Sequence, residues 1–204
     1  LETIELGIEV VDENCTGCYR CERVCPTEAI VMVGPKTEAL AVVDNDKCIG
    51  CLRCIDSCDD DALLTFKREE PVDVTVDTTD IDEDAIKNLC QAAGTSPTHL
   101  VCPCSNRTAQ DIAATILQGA HTYEELSLRI GVQSGCLLYC STPLRRLLLA
   151  GTGDARTTSK LRRYDSDQSL MNIAPELEDK YPLFGIRTEQ EWRQKEMAEV
   201  EVDL

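Results

Sequence analysis

The chain has 204 residues, room for one medium domain or two small ones, and 13 of them are cysteine. Only 8 residues are aromatic, which argues against one large aromatic core, and no apolar run reaches membrane-spanning length. A formal charge of −17 argues against nucleic acid or an anionic membrane surface as a direct partner, which leaves a metal or cluster protein or a disulfide scaffold.

Leu1 to Val10 carry three glutamates and no basic residue, unlike a signal peptide. An internal repeat follows. Val10-Val11-Asp12-Glu13-Asn14-Cys15 is echoed by Val42-Val43-Asp44-Asn45-Asp46-Lys47-Cys48, and from those cysteines onward an offset of 33 relates Gly17 to Gly50, Cys18 to Cys51, Arg20 to Arg53 and Ala29 to Ala62. Each half predicts a short alternating strand, a cysteine-bearing turn with a single-turn helix, and a closing strand at Ile30–Val33 or Leu63–Phe66. Halves this small bury little apolar surface, so something other than a core must join them.

Residues 71–82 alternate polar and apolar and read as an extended linker rather than a strand. Asp82 then caps a helix that runs through Ala93 and stops at Gly94. Further helices are expected at Thr108–Leu117, ending at Gly119, and at Tyr123–Ile130, ending at Gly131. A fourth takes Thr142 as N-cap and Pro143 as its first residue and runs to Ala150. Beyond Gly153 the sequence is polar and aperiodic, with one amphipathic helix at Glu189–Val200. Such a tail cannot fold alone and is either disordered or laid on a partner.

Cys15-x2-Cys18-x2-Cys21-x3-Cys25-Pro26 has the spacing that a cubane cluster requires. A cysteine at every third position of a tight loop turns three sulfurs onto one cube, while the fourth reaches across to a second cube. Cys48-x2-Cys51-x2-Cys54-x3-Cys58 repeats it. One [4Fe–4S] cluster is therefore assigned to Cys15, Cys18, Cys21 and Cys58, and another to Cys25, Cys48, Cys51 and Cys54. Zinc fits such dense runs poorly. Cysteines two residues apart rarely reach disulfide geometry. Residues 8–68 thus resemble the two-cluster bacterial-type ferredoxin family. One departure is Asp59 in place of the usual proline, followed by Asp60 and Asp61, whose negative charge disfavours adding an electron to the nearby cluster.

Cys102-Pro103-Cys104 and Cys136-Leu-Leu-Tyr-Cys140 form a second ligand set. With Thr122-Tyr-Glu-Glu-Leu126 and Gly131-x-x-Ser-Gly-Cys136, residues 98–151 resemble the [2Fe–2S] domain of bacterioferritin-associated ferredoxin. That resemblance implies a two-iron cluster on Cys102, Cys104, Cys136 and Cys140, held between short helices. The second pair is separated by three residues where the family has two, which leaves a third [4Fe–4S] cluster or zinc open. The intervening helix pair also reads as a helix-turn-helix, but its second helix carries two acids and one base, the wrong sign for phosphates.

Other residues read blandly. Cys90 lies on a helix with Ile86, Leu89 and Ala93 and is expected to be a small buried apolar residue. His99 and His121 read as exposed loop residues, and Gly151-Thr-Gly153 follows a helix and lacks a third glycine, so it is no nucleotide-binding turn. Arg145-Arg146 and Arg162-Arg163 read as surface or helix-terminal charges.

The fold expected is α+β: a ferredoxin-like two-cluster domain (1–70), an acidic linker and helix (71–98), a small all-α cluster domain (99–151) and an extended tail (152–204) that docks a partner. The respective net charges are −9, −5, +1 and −4. No catalytic residue set stands out, and with cysteine ligands throughout no coordination position is left for a substrate. The resemblance implies an electron-transfer subunit of a larger oxidoreductase, wired to a flavoprotein or metalloenzyme partner, and a cytoplasmic location is expected because exposed cubanes and free thiols suit a reducing compartment. A redox sensor or a cluster-mobilising ferredoxin is the alternative.

Overall fold

The structure, a computed structural model, describes residues 3–36, 38–78, 80–155 and 173–199. The chain divides into two units, Leu1–Arg163 and Tyr164–Leu204.

The repeat builds the start of the first unit. Strand β1 (Thr3–Val10), the single turn α1 (Arg20–Val24) and β2 (Ile30–Val33) are answered by β3 (Leu40–Val43), α2 (Arg53–Asp56) and β4 (Leu63–Asp73). Pairing crosses between the halves. β1 lies antiparallel to β4 with Val10 opposite Leu63, and β2 lies antiparallel to β3 with Ile30 opposite Val43. Each ribbon therefore takes one strand from each half. The repeat extends to the backbone, where Tyr19 and Leu52, and Glu28 and Asp61, adopt positive φ at the same offset.

β4 runs through Asp73, past the expected Phe66 and three residues into the stretch read as linker. The eight-residue β1 offers backbone groups along its whole length, and Thr3 and Ile4 pair with Asp73 and Val72 beyond an irregularity between Ile4 and Leu6. Val74 then buries itself against Ile4 and Ile49. Its carbonyl accepts from Arg107, whose Nε also donates to the Ile130 carbonyl at 2.9 Å.

The second half of the unit is helical. α3 (Glu83–Ala92) starts where expected, with the Asp82 carboxylate accepting from the Asp84 N–H. α4 (Ala109–Leu117) opens on a capping box between Thr108 and Asp111, and α5 (Tyr123–Ile130) opens on Thr122 and closes on Gly131. Ile112, Leu126, Leu144, Leu147 and Leu148 are fully buried in one core, and Cys90 packs there with Ile86, Leu89 and Ala93. His99 and His121 are exposed.

Two expectations need correction. The domain is not all-α: a small hairpin of β5 (Leu100–Cys102) and β6 (Arg107–Thr108) turns the chain at Cys102-Pro103-Cys104. The last helix, α6 (Ser141–Thr152), starts after Cys140 rather than at Thr142 and continues past Ala150. Pro143 is tolerated in the first turn because N–H groups there have no intrahelical acceptor. Gly151 lies inside α6, and its lack of a Cβ lets α6 lie close to α4: a Cβ there would meet Ile116 Cγ2 at 2.5 Å. The cap is Gly153.

In the second unit, the described part is helical rather than extended, with α7 (Pro175–Lys180) and α8 (Ile186–Glu199) joined through Pro182–Phe184. The helix expected at Glu189–Val200 thus begins earlier. Leu183 and Phe184 are 100% and 77% exposed, so these helices have no core of their own among the described residues. Arg162-Arg163 lies outside the described residues.

Candidate metal centres

The two halves bring their cysteines together as interleaved sets. One cavity is lined by Cys15, Cys18, Cys21 and Cys58, so three thiols come from the first half and one from the second. The other is lined by Cys48, Cys51, Cys54 and Cys25, the reverse exchange. The crossed strand pairing is what delivers each fourth cysteine, since β1 and β4 bring Cys58 to the Cys15 loop while β2 and β3 bring Cys25 to the Cys48 loop.

Both cavities have apolar walls, Met32, Ala41 and Leu63 for the first and Ile8, Ile30 and Ile49 for the second. Burial pushes the Cys21 thiol up to about 11 and the Cys54 thiol up to about 12. Peptide N–H groups act against that burial: the amide of Gly50 donates to Cys48 Sγ at 3.4 Å, and those of Glu22, Arg53 and Ile55 are directed at Cys21, Cys51 and Cys54. A thiolate set with such donors suits iron ligation. Among the described residues, no three His, Cys, Asp or Glu side chains gather tightly enough for a single metal ion. The thiols instead surround cavities, a fit for a group of several atoms.

The helical part brings Cys102, Cys104, Cys136 and Cys140 together. Cys102 and Cys140 are buried and Cys104 and Cys136 are exposed, so the set has an inner and an outer pair. The Cys140 thiol donates to the Cys102 sulfur, holding Cys102 below the usual thiol range and pushing Cys140 above it. The Ser105 hydroxyl and the N–H groups of Gln133 and Ser105 favour the same thiolate. Ser105 is itself buried. The N–H groups of Tyr139 and Leu138 lower Cys136 in the same way. Gly135 lies so close to Cys104 that a Cβ would meet its Sγ at 2.5 Å. The donors aimed at these sulfurs and the missing Cβ at Gly135 fit a group held by the four thiols.

All thirteen cysteines are free of disulfides. His99 lines a shallow groove with Tyr139, Thr142 and Arg146 and is not brought into the cysteine set.

Several residues around the sites escaped the motif reading. Arg68 donates from Nε to the Leu6 carbonyl at 3.1 Å, and from one terminal nitrogen to the carbonyls of Asn45 at 2.6 Å and Cys48 at 3.0 Å. Glu22 is buried beside Cys21, its carboxylate accepting from the Met32 N–H at 3.0 Å. Arg53 donates to the Gln133 carbonyl at 3.5 Å, linking the turn that carries Cys54 to the loop that precedes Cys136. The signal was present as breaks in the repeat: at an offset of 33, Arg68 stands opposite Pro35 and Glu22 opposite Ile55.

No curated protein and no solved structure matches the chain. Residues 14–62 match the family model of the 4Fe-4S dicluster domain, and residues 100–149 match that of the BFD-like [2Fe-2S] binding domain. Among the described residues, no helix is long and apolar enough to cross a membrane. The chain thus carries a 4Fe-4S dicluster domain followed by a BFD-like [2Fe-2S] binding domain, an arrangement that indicates electron transfer through iron–sulfur clusters.

Proposed function

We propose that this chain is the wiring subunit of an oxidoreductase complex, passing electrons between a flavin-bearing or metal-bearing partner and an acceptor. Two [4Fe–4S] clusters are held, in this reading, by Cys15, Cys18, Cys21 and Cys58 and by Cys25, Cys48, Cys51 and Cys54. One [2Fe–2S] cluster is held by Cys102, Cys104, Cys136 and Cys140. The observation that carries the reading is the interleaving of the eight repeat cysteines into two four-thiol cavities. When bound, such clusters supply one-electron outer-sphere chemistry. The chain's own residues position the sulfurs, exclude water behind apolar walls and stabilise thiolate charge with peptide N–H groups.

The argument for a subunit over a free carrier is one of parts. A shuttle needs only the first module, whereas this chain adds a second cluster module and then helices that expose Leu183 and Phe184. Such side chains suit an arm that covers a partner. A reducing compartment such as the cytoplasm keeps thirteen cysteines free of disulfides.

Iron and sulfide analysis with low-temperature EPR of the stepwise-reduced protein tests the cluster assignment. About ten irons, with signals from two cubanes and one two-iron centre, are expected, and about twelve would replace the two-iron centre by a third cubane. A pull-down tests the role: a stoichiometric flavoprotein or metalloenzyme supports it. The exposed outer pair, Cys104 and Cys136, favours a second reading in which the helical site delivers iron or a cluster. Capture of ferritin or apo-protein clients alone would replace the wiring role with that one.

A further inference from the structure

We propose that Arg68 and Asp60, charges placed where the repeat is broken, make the two four-thiol sites unequal, so that the site of Cys25, Cys48, Cys51 and Cys54 accepts an electron ahead of the site of Cys15, Cys18, Cys21 and Cys58. The inference rests on the reading that both sites hold [4Fe–4S] clusters.

The cation comes first. Arg68 is half-buried on β4, and its guanidinium is pinned by the carbonyls of Leu6, Asn45 and Cys48. It stays charged at any working pH, and it is held against the backbone of the first cysteine of one set only. The other half has Pro35 at the equivalent position, so the Cys15 set lacks a counterpart of Arg68, and the Arg20 on its own wall is paired with Asp59. Arg53 adds to the same side, since it lines the cavity of the Cys48 set and spends its hydrogen bond on a neutral carbonyl. Of the acids on the Cys48 loop, Asp44 is met by Lys47 at 3.5 Å and Asp46 is exposed to solvent.

The anions fall on the other site. Asp60 lines the cavity of the Cys15 set, and its carboxylate is fixed there by the Thr16 hydroxyl at 2.7 Å. Its counterpart in the repeat is the neutral Thr27, whose hydroxyl lies 3.7 Å from Cys25 Sγ. Glu22 is buried next to Cys21, where the second half has Ile55. Asp59 is ion-paired with Arg20, and the two charges largely cancel.

Reduction makes either site more negative by one charge. The cation favours that change at the Cys48 set and the carboxylates oppose it at the Cys15 set, so the order of reduction follows from sign alone. The magnitudes differ. Arg68 is half-buried and weakly screened, whereas Asp60 is exposed and strongly screened, so removing Arg68 should act more strongly than removing Asp60.

Potentiometric EPR titration of the iron-loaded full chain tests this, in the wild type and in R68Q, R68K and D60N. Iron and sulfide analysis accompanies each titration. The wild type should show two cubane signals with separate midpoints: absence of the signals removes the cluster reading itself, whereas two signals with one shared midpoint overturn the proposal. R68Q should lower the higher midpoint and leave the lower one in place, R68K should retain most of the wild-type spacing, and D60N should raise the lower midpoint by a smaller amount. The proposal is overturned if R68Q with full iron moves neither midpoint or both equally. It is overturned equally if R68K shifts as far as R68Q, since the role would then be structural. Should R68Q fail to load iron, D60N decides: a rise confined to the lower midpoint supports the charge ordering, and no movement, or equal movement of both, overturns it.

Discussion

The region of residues 3–74 and the region of residues 83–153 differ in how much of their interior the cysteines make up. In the first, the buried apolar residues are few, and Cys21, Cys25 and Cys54 stand among them as core members around Ile8, Ile30 and Leu63. In the second, four helices close on a much larger core of aliphatic side chains, which Cys102 and Cys140 join while Cys104 and Cys136 are exposed. Cysteines therefore make up a large share of a small interior in the first region and a small share of a larger one in the second. A fold of the first kind needs its clusters to exist, because too little apolar area is buried to offset the conformational entropy of ordering the chain.

The strongest test of that contrast removes the iron. Anaerobic chelation should unfold residues 3–74 and leave the helical region folded. Hydrogen exchange followed by mass spectrometry should report loss of protection across β1 to β4 and retention in α4 and α6. Equal protection losses in both regions would mean that the helical core also depends on its metal.

The next contrast concerns protons. Burial keeps the thiols of Cys21 and Cys54 protonated well above neutrality, at about 11 and about 12. Iron must displace those protons, so loading of the first region should be favoured as pH rises from 7 to 9, with the reactive thiolate fraction growing about tenfold per unit. The helical site starts with Cys102 already held down by the Cys140 thiol, so its loading should depend less steeply on pH. Rates of anaerobic reconstitution with ferrous iron and sulfide at pH 7 to 9, followed separately by the cubane and two-iron absorption, measure both slopes.

Legibility in the sequence divides along the same line. Where chemistry dictates spacing, the reading went far: the cysteine repeat predicted β2, the turns α1 and α2, and the grouping of thiols now seen around two cavities. Where capping residues and glycines mark helices, α3, α4 and α5 were placed within a residue or two. What failed depended on distant neighbours. The extension of β4 through Asp73 is decided by the length of β1, some sixty residues away, and the glycine at 151, read as a helix stop, is instead where α6 passes close to Ile116. Arg68 carries no motif. Its position becomes meaningful only once the Cys48 turn folds onto β4.

A core truncation sharpens the comparison at a smaller scale. Leu144 is fully buried between helices, so L144A should cost the helical region about 2–5 kcal/mol. Thermal or denaturant unfolding read from far-UV signal should show that loss, while both cubane signals stay at wild-type intensity. Loss of the cubanes with the helical core would show that the first region also relies on the second for stability.

The smallest effect expected comes from a single cap. In the first region α1 and α2 begin at Tyr19 and Leu52, both at positive φ and neither capping with a side chain, so the cysteine turns and whatever they bind must hold those helices. In the second region α4 is started by ordinary helix chemistry. The Asp111 carboxylate accepts from the Thr108 N–H and from its hydroxyl, both at 2.8 Å. D111A should therefore lower the stability of the helical region by about 1 kcal/mol, a loss read as a shift of a few degrees in its unfolding midpoint. Iron content and both cubane midpoints should not move. A cap that mattered to the first region would act through the Arg107–Val74 contact beside it or the Arg53–Gln133 contact, and movement of a cubane midpoint in D111A would reveal that coupling.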